Sequence, residues 1–303
     1  MSVGEHVTIR EVSLRDGLQI EAPIPLSAKL ALLEAIVATG VREIEATAFV
    51  SPSKVPALAD AAALAAELPR FRESHGVEFS ALVAGPGGAH RAVAAGMGSI
   101  EYVVSAADGH SQANVGRSTA VSTDLIADIA RIAHDGGASV EVIVATAWDC
   151  PFDGPTDPGR VLDVVTAAAE IGADRIAIAD TIGTATPGRV STLVGLLGPI
   201  VGDLPFGAHF HDTRGAGLAS AYAAVTAGIR RLDASAGGLG GCPFAPGASG
   251  NIATEDLVYL LRDSDIGTDV DLPAAIRAAD VARTVVGHDL PSALLRAGDR
   301  ILG

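Results

Sequence analysis

The stretch RIAIADTIGTATPGRVSTLVGLL, residues 175–197, contains one complete structural unit. A short run rich in Ile and Ala, Arg175–Asp180, reads as a buried strand that ends in a carboxylate. A turn follows, and then a helix opens with Thr186 as its cap and Pro187 at its first position, where the missing N–H would have had no partner anyway. The same rhythm recurs on both sides. Strands are expected near His6–Leu14, Glu43–Phe49, Glu78–Ala84, Ser99–Ala106, Ser139–Ala147, Pro205–Asp212 and Arg231–Gly237. Between the first two lies SAKLALLEAIVATG, with Ser27 as N-cap, a stripe of Leu30, Leu33 and Val37, and Gly40 as the stop. Strand–helix alternation eight times in 303 residues implies a (β/α)8 barrel. The barrel is expected over about residues 6–262, with a helical extension (residues 263–303, including DLPAAIRAADVARTVV) packed on it in one domain. An open doubly wound sheet would need a Gly-rich phosphate turn after its first strand, and none is present.

Composition narrows the partners. Hydrophobic residues make up 49% and charged residues 19%, a folded composition. The formal net charge of −15 argues against nucleic acid or an anionic membrane surface as partner, though not against a small anion in a local basic pocket. The start, MSVGEHVTIREV, shows no basic segment leading into an apolar run, and no stretch of about 18 apolar residues reads as a membrane span. With only Cys150 and Cys242, a reducing cytoplasm with two free thiols is the expectation.

In such a barrel, chemistry gathers at the C-terminal ends of the strands. The polar residues expected there are Arg15 and Asp16 after the first strand, Glu45 in the second, Asp180 after the sixth, His209, His211 and Asp212 in the seventh, and Cys242 and Asn251 after the eighth. Side chains at i and i+2 of a strand share a face, so His209 and His211 can converge while Phe210 packs outward against the helices. Two core histidines with ordinary partners are the plain alternative. Asp16 and Asn251 on neighbouring strand ends favour a metal instead, and imidazole, carboxylate and amide oxygen together suit Mg2+ or Mn2+. GGLGGCPFAPGASGN, residues 237–251, combines hinging glycines with stiffening prolines and reads as a lid that carries Cys242.

EVSLRDGLQIE (11–21), IEATAFVSP (44–52), ADTIGTATPG (179–188), HFHDTRGAGLA (209–219) and GGLGGCPFAPGASGNIATEDLVYLL (237–261) strongly resemble the 3-hydroxy-3-methylglutaryl-CoA lyase family. The resemblance spans nearly the whole chain. It implies a metal-dependent TIM barrel that cleaves a 3-hydroxyacyl-CoA to acetyl-CoA and a keto acid, acetoacetate for the named substrate. It implies Asp16, His209, His211 and Asn251 as metal ligands, Arg15 as the enolate-stabilising cation and Cys242 as the catalytic thiol. Glu45, Asp180 and His209 become acid–base or site-shaping groups, and Arg15, Gln19, Thr47 and Asn114 contact substrate. A homodimer or larger homo-oligomer is expected. The chain departs from the family at Ile20 and Ala22, in ADGHSQANVG (107–116, which keeps Asn114), at Ala48 and at Arg214. These changes cluster where the acyl and CoA groups should lie. They leave room for another branched 3-hydroxyacyl-CoA, or for a CoA-independent aldolase acting on a 4-hydroxy-2-oxo acid. A silent barrel that only binds CoA esters is disfavoured by the presence of Arg15, Asp16 and Cys242.

Overall fold

The computed structural model describes residues 6–241 and 250–300. Its barrel strands are β1 (Thr8–Glu11), β2 (Glu43–Phe49), β3 (Glu78–Val83), β4 (Ser99–Ser105), β5 (Ser139–Ala145), β8 (Arg175–Asp180), β9 (Phe206–Phe210) and β10 (Arg231–Ala234). They close in the order β1-β10-β9-β8-β5-β4-β3-β2, and every neighbouring pair is parallel. This is the expected (β/α)8 barrel. β6 (Asp149–Cys150) and β7 (Gly154–Pro155) form a small antiparallel ribbon after β5. The helices are α1 (Leu26–Val37), α2 (Ala61–His75), α3 (Pro86–Ala94), α4 (Asp108–Val115), α5 (Thr119–Asp135), α6 (Pro158–Ile171), α7 (Pro187–Val201), α8 (Gly217–Thr226), α9 (Thr254–Arg262), α10 (Leu272–Val286) and α11 (Ala293–Ala297). After α9 the chain forms two more helices: α10 buries Leu272, Ala275, Ala278 and Ala282 and packs against α1, and α11 follows.

Local details correct several expectations. α1 begins at Leu26 with Pro25 at the cap position, because the Pro25 carbonyl accepts the N–H groups of Ala28 and Lys29; Ser27 lies inside the helix and caps nothing. The buried stripe of α1 is Lys29, Leu32, Leu33, Ile36 and Val37, while Leu30 is only half-buried. Thr186 does sit at the cap of α7 ahead of Pro187, but its side chain makes no capping hydrogen bond. β1 stops at Glu11 rather than running to Leu14. The Glu11 carboxylate accepts the Ser13 N–H at 2.9 Å, and the chain enters a wide turn, Ser13–Gly17, whose Gly17 and Leu18 N–H groups reach back five residues.

Most of the apolar core lies between barrel wall and helices. The barrel interior is different. Arg10 on β1 is 2% exposed. Its guanidinium donates to both carboxylate oxygens of Asp233 on β10 (2.9 and 2.8 Å) and to Glu141 on β5 (2.5 Å), and it lies 2.8 Å from Glu101 on β4. β1 and β5 stand on opposite sides of the closed ring, so these contacts must cross its centre. Arg231 adds bonds to Glu141 (2.9 Å) and Glu43 (2.6 Å). A second acid secures the start of the loop after β10. Glu255, in the first turn of α9, accepts the N–H of Gly237 at 3.1 Å, and Gly237 sits at φ +70°, a conformation that favours glycine. Burial pushes the Glu255 carboxyl up to about 7, against the opposing pull of its hydrogen bonds.

Two stability outcomes follow. Arg10→Met leaves three interior carboxylates without their shared cation and should cost about 3–5 kcal/mol in urea denaturation. Arg131→Met, at an exposed helix pair, should stay within about 0.5 kcal/mol; equal effects would refute the central role of Arg10. For Glu255 the folded pKa lies above the unfolded one, so stability falls as pH rises from about 4.5 to about 7 and stays reduced above that. Glu255→Gln should therefore be more stable than the parent at pH 8 by about 3 kcal/mol, with the gap vanishing near pH 4. A gap independent of pH would exclude this linkage.

Candidate metal centre and active site

The wide turn after β1 lifts Arg15 and Asp16 onto the mouth of the barrel, and both are buried. β9 delivers His209. His211 lies just past the strand end, held by an antiparallel bridge to Asn251. The two imidazole rings stand 5.0 Å apart, edge to face, so the pair converges as its spacing suggested. Phe210 between them is fully buried on the opposite face, against Trp148 at 5.7 Å. Asp16 Oδ2 is 3.6 Å from His211 Nε2 and 3.9 Å from His209 Nε2, and it accepts a hydrogen bond from Asn251 Nδ2 at 2.8 Å. One ligand atom each from Asp16, His209 and His211 fits within 4.8 Å, a spacing one metal ion can bridge. Gly240 is the close neighbour that allows this: at φ +126°, any Cβ there would come within 2.7 Å of the Asn251 amide.

The donor set fits a divalent cation. Among the described residues, both ring nitrogens of His211 and the Oδ1 of Asn251 are buried without a hydrogen-bond partner, and such groups in a folded interior suit a ligand. Burial alone would raise the Asp16 carboxyl, yet the Arg15 guanidinium and the imidazoles of His211 and His209 hold it well below the usual range. It is therefore an anion, as a ligand must be. Arg15 Nη1 donates to Asp16 Oδ1 at 2.6 Å and to Gln19 at 3.2 Å, and Arg15 Nε lies 2.5 Å from Glu45 Oε1. Glu45 is completely buried, and its Oε2 has no hydrogen-bond partner among the described residues; burial, with the charge of Glu101 added, drives its carboxyl well above the usual range despite Arg15. Thr47 is equally buried, its Oγ1 without a partner among the described residues, and the β2–β3 register slips between Glu45 and Thr47, a bulge of the kind that re-aims side chains beside active sites. Asp180 at the end of β8 is also raised by burial, while N–H groups of Thr184 and Ala185, each at 2.9 Å, pull the other way.

Of the residues singled out from sequence, Arg15, Asp16, Gln19, Glu45, His209, His211 and Asn251 are linked by these contacts. Asn114 lies half-buried on α4, and among the described residues no hydrogen bond joins it to this group. Cys242 lies outside the described residues, as does most of the proposed lid. Cys150 is buried, and its sulfur faces the N–H groups of Phe152 and Asp153, a structural thiol. Sequence reading passed over Arg10, Glu101, Glu141 and Asp233. The signal was available: a charged residue in the middle of an otherwise apolar parallel strand, as in SIEYVVS or SVEVIVA, has to be neutralised inside the barrel.

Among the described residues no helix is long and apolar enough to cross a membrane. Comparison with known proteins agrees with the fold. The HMGL-like family model matches residues 6–282. The (R)-citramalyl-CoA lyase of Chloroflexus aurantiacus is 39% identical, covering 97% of this chain and 95% of that protein. The hydroxymethylglutaryl-CoA lyase YngG of Bacillus subtilis is 36% identical, over 96% and 97%. Among solved structures, an HMG-CoA lyase from Acinetobacter baumannii in complex with coenzyme A and 3-methylmalate superposes with a TM-score of 0.93 at 37% identity, covering 99% of this chain and 97% of that one. A closed eight-stranded barrel, a His–His–Asp cluster at its mouth and relatives matched over nearly their full length leave one assignment: the chain belongs to the HMGL-like family.

Proposed function

We propose that this protein is a divalent-metal-dependent lyase that breaks the C2–C3 bond of a branched 3-hydroxyacyl-CoA, releasing acetyl-CoA and a keto product. 3-Hydroxy-3-methylglutaryl-CoA, which would give acetoacetate, is the first substrate to test. The observation that carries the reading is Arg15, which ties Asp16 of the metal cluster to Glu45 and places a fixed cation beside the ligand set. Asp16, His209, His211 and Asn251 would hold Mg2+ or Mn2+, which when bound polarises the substrate 3-hydroxyl and lowers its pKa. Asp180 and His209 are the groups available to take that proton. Arg15 meets the charge that then builds on the thioester oxygen; its Nη1 and Nε are engaged, and its Nη2 makes no hydrogen bond among the described residues. Family resemblance gives Cys242 the final protonation of the acetyl-CoA carbanion, and gives Gln19, Thr47 and Asn114 contacts to substrate.

A second acyl group has its own support. Citramalyl-CoA, named for the relative at 39% identity, carries its carboxylate one methylene closer to the carbinol carbon and would yield pyruvate. Ile20 and Ala22, both exposed after the Arg15 turn, and Arg214, which donates to the Ile182 carbonyl at 2.7 Å beside Asp180, are the departures that bear on this choice.

Purified protein with Mn2+ should release acetyl-CoA, detected by mass spectrometry, from at least one member of a panel of branched 3-hydroxyacyl-CoA thioesters. EDTA should abolish the release and Mn2+ should restore it. The same product from metal-free protein would remove the metal from the reaction. No acetyl-CoA from any thioester, with cleavage of a 4-hydroxy-2-oxo acid, would move the assignment to an aldolase. Arg15→Gln should lower kcat by about 10²–10³-fold with a smaller change in KM; an effect confined to KM would assign Arg15 to binding alone.

A further inference from the structure

Arg10, Asp233 and His209 form a row. The register pairs Arg10 on β1 with Asp233 on β10, and Asp233 in turn with His209 on β9. Three adjacent parallel strands thus bring these side chains level, all facing the interior. His209 Nδ1 lies 3.1 Å from Asp233 Oδ2, a hydrogen bond between buried groups. On its other flank His209 has Ala179 of β8 at the same level, which offers no polar side chain. Asp233 is itself clamped: Arg10 Nε and Nη2 donate one bond to each of its oxygens. Paired with a bidentate guanidinium, Asp233 is an anion and can only accept. His209 must then present Nδ1–H towards it, which leaves Nε2 as the ring nitrogen facing Asp16, at 3.9 Å.

We propose that Asp233 is a positioning residue for the metal centre: it fixes the Nδ1–H tautomer and the ring orientation of His209, so that Nε2 is delivered to the ion with its lone pair free. The proposal rests on the metal-dependent reading above. It has a consequence for the chemistry. A His209 whose Nδ1 carries a proton for Asp233 and whose Nε2 binds metal has no nitrogen left to accept the 3-hydroxyl proton, so that task falls to Asp180.

Asp233→Asn separates positioning from packing. The amide has the shape of the carboxylate; with its oxygen kept on Arg10 Nε, its NH2 takes the place of Oδ2, gives up the bond from Arg10 Nη2 and faces His209. That demands the opposite tautomer, with Nε2–H facing the metal position. The measurement is Mn2+ affinity by electron paramagnetic resonance, on full-length protein without substrate. Asp233→Asn should weaken binding about 10–100-fold. In a His209→Ala background the same substitution should add less than about twofold, because no imidazole remains to be oriented. A measurement on the unmutated protein guards against a variant that fails to fold: a long-range proton–nitrogen NMR spectrum should show His209 protonated at Nδ1. Equal Mn2+ affinity in Asp233→Asn, an undiminished loss in the His209→Ala background, or a His209 protonated at Nε2 would each overturn the positioning role while leaving the metal site standing. Absence of Mn2+ binding to the unmutated protein would instead overturn the metal site, and this proposal with it.

Discussion

The guanidinium of Arg10, sealed at the centre of the barrel, is the organising interaction of this protein. A cation taken out of water costs several kcal/mol unless carboxylates surround it in good geometry. Here Asp233, Glu141 and Glu101 do so from three different strands. Barrels of this class more often fill their interior with layers of branched apolar side chains. An ionic layer contributes less net stability than such packing, but it is far more demanding about register. A one-residue slip of β1 would turn Arg10 outward, leaving Asp233 and Glu101 without their cation and Glu141 with Arg231 alone. Closure, strand register and the alignment of the mouth are therefore specified together.

Much of this was legible in the sequence, and the reasons differ from place to place. The barrel followed from repeated apolar runs with caps and breakers, because parallel strands buried on both faces leave that imprint. The metal cluster followed from the i, i+2 spacing of His209 and His211 and from strand-end placement of Asp16 and Asn251. Strand ends were overextended: residues such as Leu14 and Asp212 keep an apolar or alternating pattern after the ladder has stopped, and side-chain acceptors such as Glu11 end it in ways composition does not reveal. Ser27 looked like a cap because serine commonly is one, yet the carbonyl of Pro25 had already started the helix two residues earlier. The interior ion network was the largest omission. Each of its members reads as a lone charge in its own strand, and only closure of the ring makes them partners.

The mouth shows how one element serves two purposes. The turn that ends β1 points two successive side chains at the same small volume: Asp16, a candidate anionic ligand, and Arg15, a cation that donates to it. Glu45 lies on the other side of the guanidinium, against Arg15 Nε, and Nη2 is left without a hydrogen bond among the described residues. Buried atoms of Glu45, Thr47, His211 and Asn251 that have no hydrogen-bond partner among the described residues gather at this mouth. Free energy withheld from folding at these atoms is available for binding.

The cluster also joins the two ends of the fold. Asp16 and Asn251 are 235 positions apart in the chain, yet they share a hydrogen bond, and the seam they straddle is the one between β1 and β10, where the ring closes. No contiguous half of the chain contains the whole donor set. An ion that binds only the closed ring adds its binding free energy to the closed state alone. Occupancy of such a site would thus report on the topology of the whole chain: any route that builds the barrel from one end would complete the proposed donor set only at the final step, when the last strand finds the first.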